Sequence, residues 1–251
     1  MSTLPNLVDE MHRLISEAQQ EGIFLRVLGG LAIKTHSPQA SHRALVRSYP
    51  DIDFVTDKAG ARKLETYLAP RGYTPNKTFN TLSGDRRQLY YDLERNRQID
   101  VFVGEFSMCH KLPLADRLAL EPVTIPLAEL FLTKAQIIEL NRKDAVDLLT
   151  LLLDHEVGPG DEETINSDLI AVLCAKDWGL YTTVSMNIDK LAKLLVSGEI
   201  GLDEGRREII QGRLQALRRA IEAAPKSVAW KMRAKVGKRV RWYEEVEEVQ
   251  R

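Results

Sequence analysis

Apolar residues recur at helical spacing across residues 6–20, NLVDEMHRLISEAQQ, and Gly22 closes that run. The uninterrupted apolar stretch IFLRVL predicts a strand, which ends at the doublet Gly29–Gly30. LAIKTH predicts a helical turn or two, and residues 37–50, with Pro38 and Pro50, read as a long loop. IDFV predicts another strand. Asp57 can cap a helix running to about Leu68, with Gly72 near its end. Three strand-like runs follow, YTPNKTF, RQLYYDL and RQIDVFVG, separated by the turn-rich NTLSGD and ERNR.

The pattern changes after Pro126. LAELFLTKAQIIEL and KDAVDLLTLLLDH carry apolar residues at helical spacing, and Asn141 between them can cap the second helix. VGPGDEE reads as a loop, and three or four further helices fill the remainder. The expected fold class is therefore α+β, with a small mixed sheet and flanking helices over residues 1–125 and a helical domain over 126–251.

Composition narrows the setting. The chain has 251 residues, 44% of them hydrophobic and 28% charged. No stretch approaches the roughly 18 consecutive apolar residues of a membrane span. The opening MSTLPNLVDEMHRL lacks the basic and apolar regions of a secretory signal. Only Cys109 and Cys174 occur, neither in metal-binding spacing, so a reduced, cytoplasmic protein is expected. The formal net charge of −1 conceals an uneven distribution. Residues 1–204 hold 22 Lys/Arg against 30 Asp/Glu, whereas residues 205–241 hold 12 against two, Glu208 and Glu222. An acidic EEVEE stretch follows. That asymmetry suggests an anionic partner, although basic helices are often only solvated faces.

The candidate chemistry lies in YPDIDFV. Asp51 and Asp53 alternate with Ile52 and Phe54, so a strand would aim both carboxylates to one face. Alone the pair means little, since 16 aspartates in a chain of this length give roughly one Asp-x-Asp by chance. A calcium loop is excluded, because Thr56 and Arg62 occupy the positions that need glycine and glutamate. Two other features change the weight of the pair. Upstream, LRVLGG ends a strand in two glycines before a helix, which lets backbone N–H groups approach a phosphate. Downstream, RQIDVFV places Asp100 inside an apolar strand. Three such carboxylates are what metal-assisted nucleotidyl transfer requires, with Mg²⁺ as the expected ion.

These segments, GGLAIK, RSYPDIDFV and RQIDVFVG, resemble nucleotidyltransferases of the DNA polymerase β superfamily, nearest to the minimal and abortive-infection (AbiEii-like) toxin group. LTKAQIIELNRKDAVDL is similar to that group's later helical motifs. The resemblance covers roughly residues 25–155. It implies a nucleotidyltransferase sheet, Asp51, Asp53 and Asp100 as metal ligands, and Gly29 and Gly30 as a triphosphate cradle. It further implies Lys134 and Lys143 as phosphate or nucleotide contacts and Asp147 as a positioning or base residue. The implied activity moves NMP from an NTP such as ATP to a hydroxyl, in a cytoplasmic toxin–antitoxin setting where a protein antitoxin is a candidate partner. Gly30 and Asp51 stand 21 positions apart, a spacing that fits this group rather than compact antibiotic-modifying members. Tyr49 departs from the small hydroxyl residue often found there.

Each residue also has a plainer role open to it. Gly29–Gly30 can be a tight turn, Asp100 can pair with an arginine such as Arg97, and Lys134 can extend its ammonium to water from an apolar helix. Lys143 and Asp147 can form an i,i+4 surface pair, and Asp144 can complement its helix dipole. Trp178, Trp230 and Trp242 read as helix-packing anchors before base-stacking platforms. Cys109 and His110 read as core and rim residues of a strand. KSVAWKMRAKVGKRVRW has seven basic residues and no acidic one, so Lys231, Arg233 and Lys235 are candidates to hold a nucleic-acid phosphate backbone. That segment favours an RNA 3′ end, tRNA-like, as the acceptor. An inactive nucleotide- or RNA-binding scaffold and an antibiotic-type adenylyltransferase are the competing functions.

Overall fold

The computed structural model describes residues 2–38 and 42–245. The chain divides into two compact units, one of residues 1–35, 48–107 and 112–126, the other of 36–47, 108–111 and 127–251. The fold is α+β.

In the first unit, α1 (Leu7–Gln20) is capped by Asn6, whose side chain accepts from the Val8 and Asp9 N–H groups. It buries Met11, Leu14, Ile15 and Ala18. Strand β1 (Leu25–Leu28) runs directly into α2 (Gly29–His36). Strand β2 (Ile52–Thr56) follows, and then a helical stretch expected to run unbroken from Asp57 to Leu68. It is instead split into α3 (Lys58–Ala61) and α4 (Leu64–Leu68), with a 3-10 turn at Ala69–Arg71 closed by Gly72 at φ 92°.

YTPNKTF is not the strand its composition suggests. Only Thr74–Pro75 forms β3, and Lys77–Ser83 is a helix, α5. Pro75 has no N–H for a ladder, and the Asn76 side chain accepts from the Phe79 N–H to start the helix. Strands β4 (Arg87–Asp92) and β5 (Arg97–Val103) complete a mixed five-stranded sheet of order β1-β2-β5-β4-β3. Only the β2–β5 pairing is parallel. Two short strands, β6 (Glu105–Ser107) and β7 (Lys111–Pro113), pair beyond it. Cys109 and His110 fall in the bend between them, both buried, and not within a strand.

In the second unit, α6 (Leu127–Ala135) and α7 (Arg142–Asp154) are the two expected helices, the latter capped by Asn141 through the Asp144 N–H. The VGPGDEE stretch is not wholly loop. It connects β8 (Glu156–Gly158) to β9 (Thr164–Asn166), a short parallel pair turned by Gly160 at φ 92° and Glu163 at φ 48°. Four more helices follow: α8 (Ser167–Lys176), α9 (Trp178–Ser197), α10 (Glu204–Ala223) and α11 (Val228–Val236). Although α10 is rich in arginine, Ile210, Leu214, Leu217 and Ile221 form its buried stripe. No helix among the described residues is long and apolar enough to cross a membrane.

Candidate functional site

Strand pairing builds the centre of the candidate site in the first unit. The register aligns Leu28 with Asp53, Asp53 with Asp100, and Asp100 with Leu89, one row across four strands. Paired residues project to the same side of a sheet, so Asp53 and Asp100 stand side by side on one face. Asp51 lies just before β2, where its Oδ1 accepts the Gln98 N–H at 3.2 Å. Its charge also acts on Asp100. Asp53 and Asp100 are thus cross-strand neighbours in the middle of the sheet with Asp51 at the start of the same pair of strands, Asp51 and Asp53 half-buried and Asp100 buried.

Gly29, at the turn from β1 into α2, lies directly beneath Asp53. Its φ is 69°, and a Cβ there would sit 3.3 Å from the Asp53 Cγ and nearer still to a carboxylate oxygen. Glycine is thus needed twice, for the left-handed turn and for the close approach of the carboxylate. Gly30 follows in the first turn of α2, also buried.

Arg87 is the residue that sequence reasoning missed. Its Nε donates to both carboxylate oxygens of Asp100, at 2.8 and 3.1 Å, and its Nη2 donates to Oδ2. Arg97, the partner suggested by proximity in sequence, does not pair with Asp100. It stands three positions away on the same strand, hence on the opposite face, and donates to the Leu4 and Pro5 carbonyls. Arg87 reaches Asp100 because it lies two residues from Leu89, the cross-strand partner of Asp100, on the same face. The only sequence signal was the alternation of Arg87 with Leu89, which becomes informative once the register is known. Burial pushes the Asp100 carboxyl above the usual range, and Arg87 opposes that rise. Burial works against the Arg87 charge, but the hydrogen bonds and charge of Asp100 and the charge of Asp53 outweigh it, so its pKa is raised.

In the second unit the other implied residues are tied to one another. Asp147 is buried at 1% exposure and accepts from Arg47 Nε at 2.6 Å and Nη2 at 2.8 Å. Lys134 donates to Asp144 at 2.7 Å and approaches Asp147 at 3.4 Å. Burial raises the Asp147 pKa, with Lys134 and Arg47 acting against it. Arg47 and Lys134 thus meet Asp144 and Asp147 in one network, and Lys134 is neither a snorkelling residue nor an isolated one. Lys143 is exposed and, contrary to the i,i+4 alternative, has no ion pair with Asp147 among those the structure shows. Arg47 was not singled out in the sequence, where it sits in the stretch read as loop.

The basic C-terminal residues divide by role. Lys231 and Lys235 are exposed. Arg233 is turned inward: it lies 4.5 Å over the Trp178 ring and donates to the Gly237 and Val240 carbonyls. On α10, Arg213 donates to the Leu152 and Leu153 carbonyls and pairs with Glu156, while Arg218 pairs with Asp189. Part of the positive charge is therefore consumed within the unit. Trp230 and Trp242 donate to the Cys174 carbonyl and the Thr183 hydroxyl, as packing anchors do.

A cavity of about 640 Å³ in the first unit is lined by Lys58, Arg62 and Arg86 together with Asp85, Glu105 and Asp116. Asp51, Asp53 and Asp100 do not line it. Its mixed charge defines no ligand class, and the carboxylate row carries more chemistry. Among the described residues, no three His, Cys, Asp or Glu side chains are grouped as a preformed cation cage. Neither the protein-family models nor the curated proteins compared with this sequence match it.

Proposed function

We propose that this chain is a nucleotidyltransferase of the DNA polymerase β type, moving a nucleoside monophosphate from an NTP to a hydroxyl acceptor with release of pyrophosphate. The observation that carries this reading is the pairing of Asp53 with Asp100 on parallel strands, over the glycine turn that opens α2. Three carboxylates supply the hard oxygen donors that Mg²⁺ prefers when it binds through a few side chains and substrate phosphates. The donor set fits in kind, with Asp51 and Asp53 as first ligands and Asp100 as a third that Arg87 holds. When bound, such a cation neutralises the polyphosphate and acidifies the attacking hydroxyl.

The chain's own residues do the positioning. The Gln98 N–H orients Asp51, and the bare Gly29 backbone seats Asp53. The buried start of α2 offers N–H groups to phosphate oxygens. Within the second unit Arg47 and Lys134 hold Asp147, and Lys143 offers an exposed ammonium. RNA is the favoured acceptor, with Lys231 and Lys235 meeting its phosphates, and the toxin-like setting adds a protein antitoxin as partner. One observation favours a second reading, a scaffold without catalysis: Asp100 already has a counter-ion in Arg87.

The same assay separates the two. Each α-labelled NTP is incubated with the protein, Mg²⁺ and total cell extract. Label is expected to enter RNA with pyrophosphate release, and Asp53→Asn is expected to reduce transfer more than about 100-fold with an unchanged circular dichroism spectrum. Absence of label transfer with all four NTPs sinks the enzyme reading.

A further inference from the structure

Two neighbouring carboxylates on a half-buried sheet face need a positive charge close by. Arg87 supplies it. Its fork occupies both oxygens of Asp100, and the charge of Asp53 also acts on it. The guanidinium carbon also lies over the Phe102 ring, 5.0 Å from its centroid. Yet the Arg87 side chain keeps 22% exposure against 7% for Asp100, so it is the more open member of the pair.

Resting on the nucleotidyltransferase reading, we infer that Arg87 is the resting counter-ion of the carboxylate row and exchanges partners on ligand binding. A divalent cation takes the Asp100 oxygens, and the released guanidinium takes a phosphate group of the polyphosphate. A bidentate guanidinium suits phosphate as well as it suits carboxylate, so the exchange preserves the geometry of the fork.

The physical argument is one of mutual relief. A cation binding alone must displace Arg87 and leave an unpaired guanidinium beside a divalent charge. A polyphosphate binding alone finds Arg87 already engaged. Each ligand removes the cost the other faces, so the two bind with positive coupling, and that coupling is reciprocal. Arg87 is thus a phosphate-binding residue held in reserve, and it keeps the row neutralised between turnovers.

Calorimetric titration of the full chain tests the exchange without any activity measurement. Mn²⁺ alone and metal-free tripolyphosphate are the probes. Arg87→Gln, which retains a hydrogen-bond donor for Asp100, is expected to bind Mn²⁺ about tenfold more tightly than wild type in the absence of polyphosphate. Asp100→Asn, which weakens the hold on Arg87, is expected to bind metal-free tripolyphosphate about tenfold more tightly. The double variant should lose this second gain. If Arg87→Gln fails to fold in a thermal melt, Arg87→Lys replaces it, with the same direction expected because an ammonium cannot hold both oxygens in a fork. Failure of either gain in folded protein overturns the exchange, even where wild type binds Mn²⁺ and the nucleotidyltransferase reading stands. If no form binds Mn²⁺ with or without tripolyphosphate, the cation reading falls and the exchange falls with it.

Discussion

At Gly29, φ is 69° and the space a Cβ would occupy is filled by the Asp53 carboxylate. Gly29→Ala therefore combines a left-handed alanine with displacement of a carboxylate whose charge acts on Arg87. The expected loss is about 1–3 kcal/mol in urea denaturation. A stability within about 0.5 kcal/mol of wild type, the range of an ordinary surface change, would show that Asp53 is not seated over this turn. The carboxylates were visible in the sequence because acidic residues inside apolar runs stand out by their chemistry. Their arginine partners were not. Arg87 and Arg47 look like any other arginine, and each meets its aspartate only through register or a chain reversal. Arg97 was the natural suggestion for Asp100, and the odd spacing that places it on the opposite face excludes it.

Among elements, caps were the most legible signal. Asp57 and Asn141, both read as caps in the sequence, start α3 and α7. Asn76 does the same for α5, where composition had suggested a strand. That helix has no fully buried residue, and besides the cap the Asn80 side-chain amide ties it to β4. Asn80 Oδ1 accepts the Leu89 N–H at 2.7 Å and its Nδ2 donates to the Leu89 carbonyl at 3.1 Å. Asn76→Ala is expected to cost about 1 kcal/mol. Faster amide hydrogen exchange should appear across Lys77–Ser83, with β5 unaffected. Protection of α5 equal to wild type would show that the cap does not set its stability. The β8–β9 pair was hidden for a different reason. Three-residue strands leave no alternation to read, and their pairing depends on two left-handed residues, one of them the non-glycine Glu163.

For the molecule as a whole, titration of buried groups outside the carboxylate row gives a testable stability profile. Burial lowers the His110 pKa, and the charges of Asp177 and Glu244 act in the opposite direction. Its Nε2 meets the Thr183 hydroxyl at 2.8 Å. The unfolded chain then binds more protons than the folded one as pH falls below about 6.5, the ordinary histidine value. The stability His110 contributes is present in full above that pH and is lost between it and the lower folded value. Burial shifts His36 in the same direction, with the nearby His155 adding to it. Urea midpoints should therefore decrease from pH 7.5 to pH 5, and His110→Gln should flatten part of that slope. An identical slope in the variant would show that His110 does not titrate in this window. The whole-chain charge split, evident in the sequence, is partly spent on internal pairs such as Arg213–Glu156 and Arg218–Asp189.

Periodicity, caps and the chemistry of single residues act within a few positions of one another, and so the sequence alone determined most helices, four of the strands and the three aspartates worth watching. Which residues meet was decided only by tertiary structure. Asp53 faces Asp100 because β2 and β5 pair in parallel at one register, and a slip by one residue would turn either carboxylate to the other face. Arg87 takes Asp100, and Arg47 takes Asp147, because chain segments distant in sequence close on one another. No local signal encodes that closure, since its free energy belongs to the packed core and not to any short segment of chain.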